Sequence, residues 1–314
     1  MNTPPARMQP DTNPMDAASS SLGSLARRSS AIDSAPRSRR RQVGRRWLIV
    51  AAACAVIVYS GYQRRPCGAD AGRSFAGDRP EILSDVKRLR IGTFNIHGGM
   101  GRHGVRDLSR TADSLDALDL VGLNEVRDAG FGESEGQAEW LGRRLKLRWL
   151  FAPTEERWWH SRFGNAVLSA LPVSSWQTSP LRQRYSHSCR NAVLVTARHG
   201  EREIHMVITH LDRTDEERRH QLRTVADLFL ALAEPAVLLG DLNSTQDDPE
   251  IARLLSQPGV GDPLGEVMGD QTPPHIDWIL TRGFKTVDAG LRDDGASDHP
   301  LVWAELDYRT PPRE

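Results

Sequence analysis

Short apolar runs that lead into polar residues recur along the chain from residue 88 onward. Residues 89–94 alternate in the manner of a strand, whereas residues 120–123 (LVGL) and 236–239 (AVLL) are apolar or glycine throughout. A short continuous apolar run predicts a strand that is buried on both faces. Each run leads within two residues into a carboxylate or an amide. The pattern therefore predicts buried strands whose ends deliver polar groups to a cleft.

Helical spacing separates several of these strands. Apolar residues recur every three to four positions over 108–118 and over 222–232. Thr214 followed by Glu217 predicts a capping box at the start of the second helix. Strands and helices alternate irregularly without a repeat, which predicts a two-layered sheet flanked by helices. We expect this domain to cover residues 88–308, with a short tail after it at 309–314.

The first 87 residues differ in composition from the domain. Residues 1–46 are rich in Ser, Ala, Pro and Arg and lack apolar periodicity, which predicts disorder. Residues 47–62 carry no charge. As a helix they would span roughly 24 Å against about 30 Å of hydrocarbon, so they predict a membrane anchor or the core of a signal peptide. Residues 63–87 contain several Pro and Gly residues, which predicts a linker.

The arginines near residues 47–62 predict an orientation. More of them precede the segment than follow it, and the positive-inside bias then puts the N-terminus in the cytoplasm and the domain outside. Three alternatives stay open. The protein is a cell-membrane protein with an extracytoplasmic domain, it is secreted or periplasmic after signal cleavage, or it is lipid-attached at Cys54.

Charge is unevenly distributed although the formal net charge is zero. Residues 1–85 carry 13 Lys and Arg against 7 Asp and Glu, which leaves the rest of the chain acidic by six charges. A surface that grips nucleic acid needs clustered Lys and Arg. The composition therefore disfavours a general nucleic-acid surface, while a local basic cleft stays open.

Acid, amide and imidazole side chains follow the predicted strands. The oxygen donors are Asn95, Glu125, Asp241, Asn243 and Asp298, and the imidazoles are His210 and His299. Carboxylate and amide oxygens suit Mg²⁺ or Mn²⁺ better than zinc. A histidine that moves protons needs a carboxylate on its second nitrogen, and Asp277 is the candidate. These residues predict metal-assisted chemistry on a phosphate ester.

Seven short motifs carry a family resemblance. In chain order they are TFNIHGG, LNEV, GNAVLS, THLD, GDLNS, HIDWIL and SDHP. Together they resemble the endonuclease/exonuclease/phosphatase superfamily, over roughly residues 88–308. The resemblance implies a four-layered α/β/β/α sandwich of two mixed sheets, deoxyribonuclease I-like, with the active site where the sheets meet.

The resemblance also implies a metal site. Glu125 is expected to be the main ligand of Mg²⁺ or Mn²⁺, with Asn95 beside it and Asp298 supporting the metal. The superfamily commonly has Gln before the metal-binding Glu, whereas this chain has Asn124. We expect that difference to alter the surroundings of the ligand and not ligation itself.

The catalytic residues implied by the resemblance are five. Asp241 and Asn243 are expected to orient the attacking water and the phosphate. His210 and His299, the latter held by Asp277, are expected to flank the scissile phosphate as an acid–base pair. Which histidine is the acid and which the base stays open.

The substrate contacts implied by the resemblance are Asn165 and Arg190. The predicted activity is hydrolysis of a phosphodiester by an activated water, on a phospholipid headgroup or a small phosphodiester, by a monomer. A metal-dependent nuclease is the alternative. A non-catalytic binding module on the same fold is a second alternative, disfavoured because a ligand-binding remnant has no need of the whole catalytic set.

Overall fold

The computed structural model describes residues 37–62, 65–77, 88–130, 132–156, 161–184 and 188–309. The strands are β1 Arg65–Pro66, β2 Asp70–Gly72, β3 Leu89–Asn95, β4 Leu120–Arg127, β5 Arg148–Glu156, β6 Phe163–Ser169, β7 Val173–Leu181, β8 Arg190–His199, β9 Arg202–His210, β10 Ala236–Asp241, β11 Asp277–Arg282, β12 Phe284–Arg292 and β13 Leu301–Tyr308. The helices are α1 Arg37–Tyr62, α2 Leu108–Ser114, α3 Gln137–Leu145, α4 Asp215–Ala231, α5 Pro249–Leu255 and α6 Pro263–Met268.

Two mixed sheets carry the domain. Sheet A has the strand order β1-β5-β6-β4-β3-β13-β12, and sheet B has the order β11-β10-β9-β8-β7-β2. Each sheet contains one parallel pair, β3 with β4 in sheet A and β9 with β10 in sheet B. Because parallel neighbours finish at the same edge, four strands deliver their last residues to one end of the two sheets. That end carries the polar residues predicted at the strand ends.

Three apolar clusters of the described residues separate four layers. The central cluster lies between the sheets and includes Ile91 of sheet A and Ile208 of sheet B. Val207, one residue before Ile208, points to the opposite face and packs with Phe229 of α4. Leu141 of α3 belongs to the cluster on the outer face of sheet A. The α/β/β/α sandwich is therefore confirmed.

The start of α4 differs in detail from the sequence prediction. Thr214 is the residue before the helix, but its side chain makes no capping hydrogen bond. Glu217 is buried, and its carboxylate accepts a hydrogen bond from the backbone N–H of Arg184 at 2.7 Å. The predicted capping box is therefore absent, because a tertiary contact takes the side chain that would have completed it.

The predicted linker, residues 63–87, contains ordered elements of the domain. Strand β1 pairs with β5 at the edge of sheet A, and β2 pairs with β7 at the edge of sheet B. Phe75 is buried in the cluster between the sheets. These strands escaped the sequence prediction because they are two and three residues long and carry no apolar alternation. Residues 63–64 and 78–87 lie outside the described residues.

The chain divides into two units after Cys54, and α1 crosses that boundary. This helix covers the predicted apolar segment 47–62 and begins earlier, at Arg37, inside the region predicted to be disordered. Residues 1–36 of that region and the tail residues 310–314 lie outside the described residues. The predicted membrane anchor has no support from the structure, in which no helix of the described residues is long and apolar enough to cross a bilayer.

Candidate active site

The strand ends bring the predicted catalytic residues together at one end of the sheets. Asn95 is the last residue of β3, His210 the last of β9 and Asp241 the last of β10. Asp277 begins β11 and lies opposite Asp241 in the antiparallel register. His299 follows in the loop before β13. Residues more than 200 positions apart in sequence therefore meet because the two parallel strand pairs end side by side.

Asp241 is the centre of this group and is completely buried. One carboxylate oxygen, Oδ2, accepts a hydrogen bond from the side-chain N–H of Asn95 at 3.1 Å. The same oxygen lies 3.3 Å from Nε2 of His210 and 4.0 Å from Nε2 of His299. The other oxygen accepts from the backbone N–H of Asn243 at 2.9 Å. The carboxylate is thus fixed in orientation between the two imidazoles.

The backbone around Asp241 explains why glycine precedes it. Gly240 has φ = +142°, and a Cβ atom there would lie 1.9 Å from the carbonyl oxygen of Thr209 in β9. Any other residue would push β9 and β10 apart. Asn243 has φ = +49°, and its side-chain N–H donates to the carbonyl of Leu211 at 2.9 Å. Asn243 therefore holds the turn after β10 in place as well as the carboxylate.

His299 and Asp277 form a close pair. Nδ1 of His299 lies 2.7 Å from Oδ2 of the buried Asp277, which fixes the ring with Nε2 directed toward Asp241. Burial alone would lower the pKa of His299, but the hydrogen bond and charge of Asp277, with the charges of Asp241 and Asp298, raise it to about 9. The imidazole is therefore protonated at neutral pH and available as a proton donor.

The pKa of His210 is shifted in the opposite direction from that of His299. Burial lowers the pKa of His210 well below its ordinary value, and the positive charges of Arg190, His299 and Arg213 lower it further. The ring is therefore neutral at physiological pH. Its Nε2 is buried and forms no hydrogen bond with favourable geometry to any described residue, despite its 3.3 Å distance from Asp241. A buried polar atom left without a bond suits a ligand that reaches it during the reaction.

The pKa of Asp241 is raised to about 6. Burial is the largest cause, and the neighbouring charge of Asp277 adds to it. The positive charge of His299 and the hydrogen bonds from Asn95 and Asn243 act in the opposite direction. The carboxylate is mostly ionised at neutral pH and remains a better proton acceptor than an ordinary aspartate.

A chain of buried amides lies beneath the site. The side chain of Asn124 donates to Oδ1 of Asn165 at 2.8 Å and accepts from the backbone N–H of Asp241 at 3.0 Å. Asn165 in turn donates to Oδ1 of Asn191 at 2.9 Å, and Asn191 donates to the carbonyl of Pro153 at 3.0 Å. Sequence reasoning expected Asn124 to alter the surroundings of the metal ligand but did not foresee these hydrogen bonds of Asn124, within β4, and of Asn191, near the start of β8.

Asn165 was predicted to contact the substrate. The structure buries it to 1% exposure in this chain of amides, between Asn124 and Asn191. Its hydrogen bonds link Asn124, which holds the backbone of Asp241, to Asn191. The contact of Asn165 with the substrate stays a prediction.

The predicted metal ligands occupy one side of the site. Glu125 has φ = +58°, an uncommon conformation for a residue with a side chain, and its carboxylate accepts from the side-chain N–H of Asn95 at 3.3 Å. Oδ1 of Asn95 accepts from the backbone N–H of His97 at 3.1 Å. Asp298 is half exposed, and its Oδ1 lies 3.4 Å from Nδ1 of His97. Asn95 therefore positions two carboxylates through its nitrogen, and its role as an oxygen ligand of the metal stays a prediction.

Glu125 fits a hard divalent cation best. Its carboxylate is partly exposed, and among the described residues no Lys, Arg or His forms an ion pair with it. Oxygen ligands of this type suit Mg²⁺ or Mn²⁺. A second group, formed by Asp241, Asp277 and His299, has ligand atoms within 4.8 Å of one another. Because Asp277 already holds Nδ1 of His299 at 2.7 Å, we interpret that group as acid–base machinery.

A polar pocket of about 470 Å³ opens beside Glu125. Three arginines line it, namely Arg127, Arg190 and Arg213. Burial lowers the pKa of Arg190, and the negative charges of Asp212, Asp241 and Glu125 oppose that effect. Arg190, a predicted substrate contact, therefore lies between the reaction centre and this pocket.

The family model of the Endonuclease/Exonuclease/phosphatase family matches residues 92–299. The matched range runs from β3 to His299 and includes each of the strand ends that form the site. The chain therefore belongs to this family and is a hydrolase that acts on phosphate ester bonds. No curated protein matches the chain.

Solved structures agree with this assignment. An endonuclease/exonuclease/phosphatase from Beutenbergia cavernae DSM 12333 is 25% identical, with a TM-score of 0.60 over 73% of this chain and 74% of that one. A family protein from Leptotrichia buccalis C-1013-b is 15% identical, with a TM-score of 0.57 over 70% of this chain and 100% of that one. Humanized D. rerio TDP2 is 18% identical, with a TM-score of 0.55 over 71% of this chain and 100% of that one. The latter two show similarity of fold.

Proposed function

We propose that this protein hydrolyses phosphodiesters with a divalent metal, by direct attack of water on phosphorus. The observation that carries the proposal is the convergence on Asp241. Two imidazoles, one neutral and one protonated, lie within 4.0 Å of one carboxylate oxygen, at the edge where the sheets meet. Hydrolysis needs a group that orients water, a donor to the phosphoryl oxygens and a donor to the leaving oxygen, and this group supplies all three.

The roles follow from the positions of the side chains. Asp241, ionised and held by Asn95 and Asn243, orients the water and accepts its proton. His210, neutral and without a bond at Nε2, donates to a phosphoryl oxygen. His299, fixed through Nδ1 by Asp277, presents Nε2–H to the leaving oxygen. The proton of the water ends on Asp241, and the leaving alkoxide takes the proton of His299.

A divalent metal would bind on the Glu125 side of the site. Glu125 would hold Mg²⁺ or Mn²⁺, with Asp298 nearby and Asn95 holding the carboxylate of Glu125 in place. A bound divalent cation supplies neutralisation of the charge on the phosphate. Arg190 adds a fixed positive charge at the border of the same site.

Two substrate classes remain within this proposal. A phospholipid headgroup or a small phosphodiester is favoured by the acidic domain. A nuclease is the alternative, and one observation supports it: a structure of D. rerio TDP2 complexed with single strand DNA product is 18% identical, with a TM-score of 0.55. A non-catalytic module is disfavoured, because the whole set of acid, amide and imidazole side chains is in place.

The test is a substrate panel with the full chain. The panel contains bis-p-nitrophenyl phosphate, p-nitrophenyl phosphorylcholine, a phospholipid vesicle and single-stranded DNA, each with Mg²⁺, with Mn²⁺ and with a chelator. We expect turnover of at least one diester that the chelator stops and added metal restores. Turnover of none of them, or turnover indifferent to the chelator, would contradict the proposal.

The location of the protein is a further part of the proposal. The arginines before residues 47–62 favour an extracytoplasmic domain, either held at the cell membrane or released after signal cleavage. Full-length fusions to alkaline phosphatase, which is active only outside the cytoplasm, should be active. Fractionation of the cells and the mass of the mature chain then separate retention from cleavage. An inactive fusion would place the domain inside.

A further inference from the structure

The pocket beside Glu125 carries a positive charge on its solvent side that no ion pair of the described residues neutralises. Among the described residues, Arg127, Arg190 and Arg213 line it, together with the carboxylates of Glu125 and Glu155. Arg190 also lies near the negative charges of Asp212 and Asp241. Arg213 is exposed and forms no ion pair among the described residues. Its charge therefore remains available to an anion other than the reacting phosphate.

The guanidinium of Arg190 is in an environment that destabilises its positive charge. Its Nε is buried and has no hydrogen-bond partner among the residues that the structure describes. Burial is the main reason that its pKa is lowered, so the protein keeps a partly desolvated cation in the wall of the pocket. A buried donor of a cationic group that lacks a hydrogen bond is costly unless an anion binds to it. An anionic ligand would supply the hydrogen-bond acceptor that this cation lacks.

Arg213 is a second such group, on the solvent side. It is exposed, it lines the pocket, and no hydrogen bond or ion pair of its guanidinium occurs among the described residues. Its positive charge lowers the pKa of Arg190 and of His210, which places it close to both. Two guanidinium groups that repel each other in one pocket are stabilised together by an anion between them.

We propose that this pocket is an anion subsite that binds a second, non-reacting phosphate of the substrate through Arg190 and Arg213. The inference rests on the proposed function and narrows its substrate class to diesters that carry a further phosphate near the scissile one. Substrates with a cationic group at that position, such as a choline ester, are disfavoured by charge. The described lining of the pocket is mostly polar, which suits a phosphate better than an acyl chain.

The test uses a matched pair of chromogenic substrates with the full chain. One is the p-nitrophenyl ester of thymidine 5′-phosphate, and the other is the same ester with an added 3′-phosphate. We expect kcat/KM to be at least about tenfold higher for the ester with the second phosphate, since charge-assisted hydrogen bonds have that magnitude. A corresponding pair built on glycerol tests whether the phosphate is recognised without the nucleoside.

Substitutions of two arginines test whether the pocket causes the preference for the ester with the second phosphate. Arg213→Gln should reduce the ratio of the two kcat/KM values to about one, and Arg213→Lys should retain part of it because the charge remains. Arg219→Gln is the matched control, since Arg219 is an exposed arginine of α4 that does not line the pocket. It should keep the full ratio.

The outcomes separate the anion subsite from the hydrolytic activity itself. If neither ester nor bis-p-nitrophenyl phosphate is hydrolysed with either metal, the proposed function is wrong. If the esters are hydrolysed equally, or if the preference persists in Arg213→Gln, the enzyme is a phosphodiesterase without this subsite and the inference is overturned. A higher kcat/KM for p-nitrophenyl phosphorylcholine than for the ester with the second phosphate would also overturn it.

Discussion

Asn124 is a buried amide whose three hydrogen bonds reach both sheets. Its nitrogen donates to Asn165 and to the carbonyl of Thr209, and its oxygen accepts from the backbone N–H of Asp241. The position of the central carboxylate therefore depends on a residue that does not face the substrate. The family commonly has glutamine at this position. Asn124 makes these hydrogen bonds with a side chain that is one methylene shorter.

Replacement of Asn124 by alanine tests this role. The change leaves a buried N–H and two buried oxygens without their partner, which should lower the free energy of unfolding by about 3 kcal/mol. Urea denaturation of the full chain measures the change. Gln177→Ala is the control, because Gln177 is an exposed amide of β7 and its loss should stay within about 0.5 kcal/mol. Equal effects of the two substitutions would mean that the amide chain has no structural importance.

At the scale of elements, α4 and α5 are joined by one carboxylate. Glu250 of α5 accepts a hydrogen bond from Arg223 of α4 at 2.6 Å and another from Arg253 at 2.8 Å. Burial raises the pKa of Glu250, but these two hydrogen bonds and the charges of the arginines lower it below its ordinary value of 4.5. A lowered pKa in the folded state means that the ionised form stabilises the fold.

The stabilising effect of Glu250 should depend on pH in a defined direction. It is fully present above the ordinary pKa and is lost as the pH falls through the lowered pKa of the folded state. Glu250→Gln should therefore reduce the free energy of unfolding by about 1 kcal/mol at neutral pH, and the difference should vanish in acid. Asp227→Asn, which removes an exposed carboxylate 3.8 Å from Arg253, should change little at any pH. A difference that grows in acid would contradict this account.

At the scale of the whole domain, a segment before the first long strand closes one side of the sandwich. Residues 65–77 add an edge strand to each sheet. Phe75, which follows β2 in the sequence, is buried in the core between the two sheets. The backbone of Ala76 pairs with Trp149 of β5 in both directions, at 2.9 and 3.0 Å. The segment thus joins the two sheets at the side away from β12 and β11.

Phe75→Ala in the full chain tests how much this segment contributes. Removal of a buried phenylalanine side chain costs about 3–5 kcal/mol where the site cannot collapse, so a loss of that size is expected by urea denaturation. Val105→Ala is the control for an apolar side chain, since Val105 is exposed. A loss below about 1 kcal/mol for Phe75→Ala would show that residues 65–77 only cover the sheets.

Prediction from sequence succeeded where one local pattern fixes the outcome. The apolar runs before Asn95, Asn124 and Asp241 are strands, and their ends meet because only two parallel pairs bring them to one edge. It failed where the partner is distant in sequence. The edge strands of residues 65–72 have no apolar pattern, and the placement of Arg190 and Arg213 in the lining of one pocket follows from folding alone.

The imidazole of His299 is proposed to take part in phosphodiester hydrolysis. This role is tested by kcat of the full chain on bis-p-nitrophenyl phosphate with saturating Mn²⁺, compared with kcat of His299→Ala after both proteins are shown to unfold at the same urea concentration. We expect the substitution to lower kcat by about 10²–10⁴-fold. Equal kcat values for the two proteins would rule out a role of His299 in the reaction.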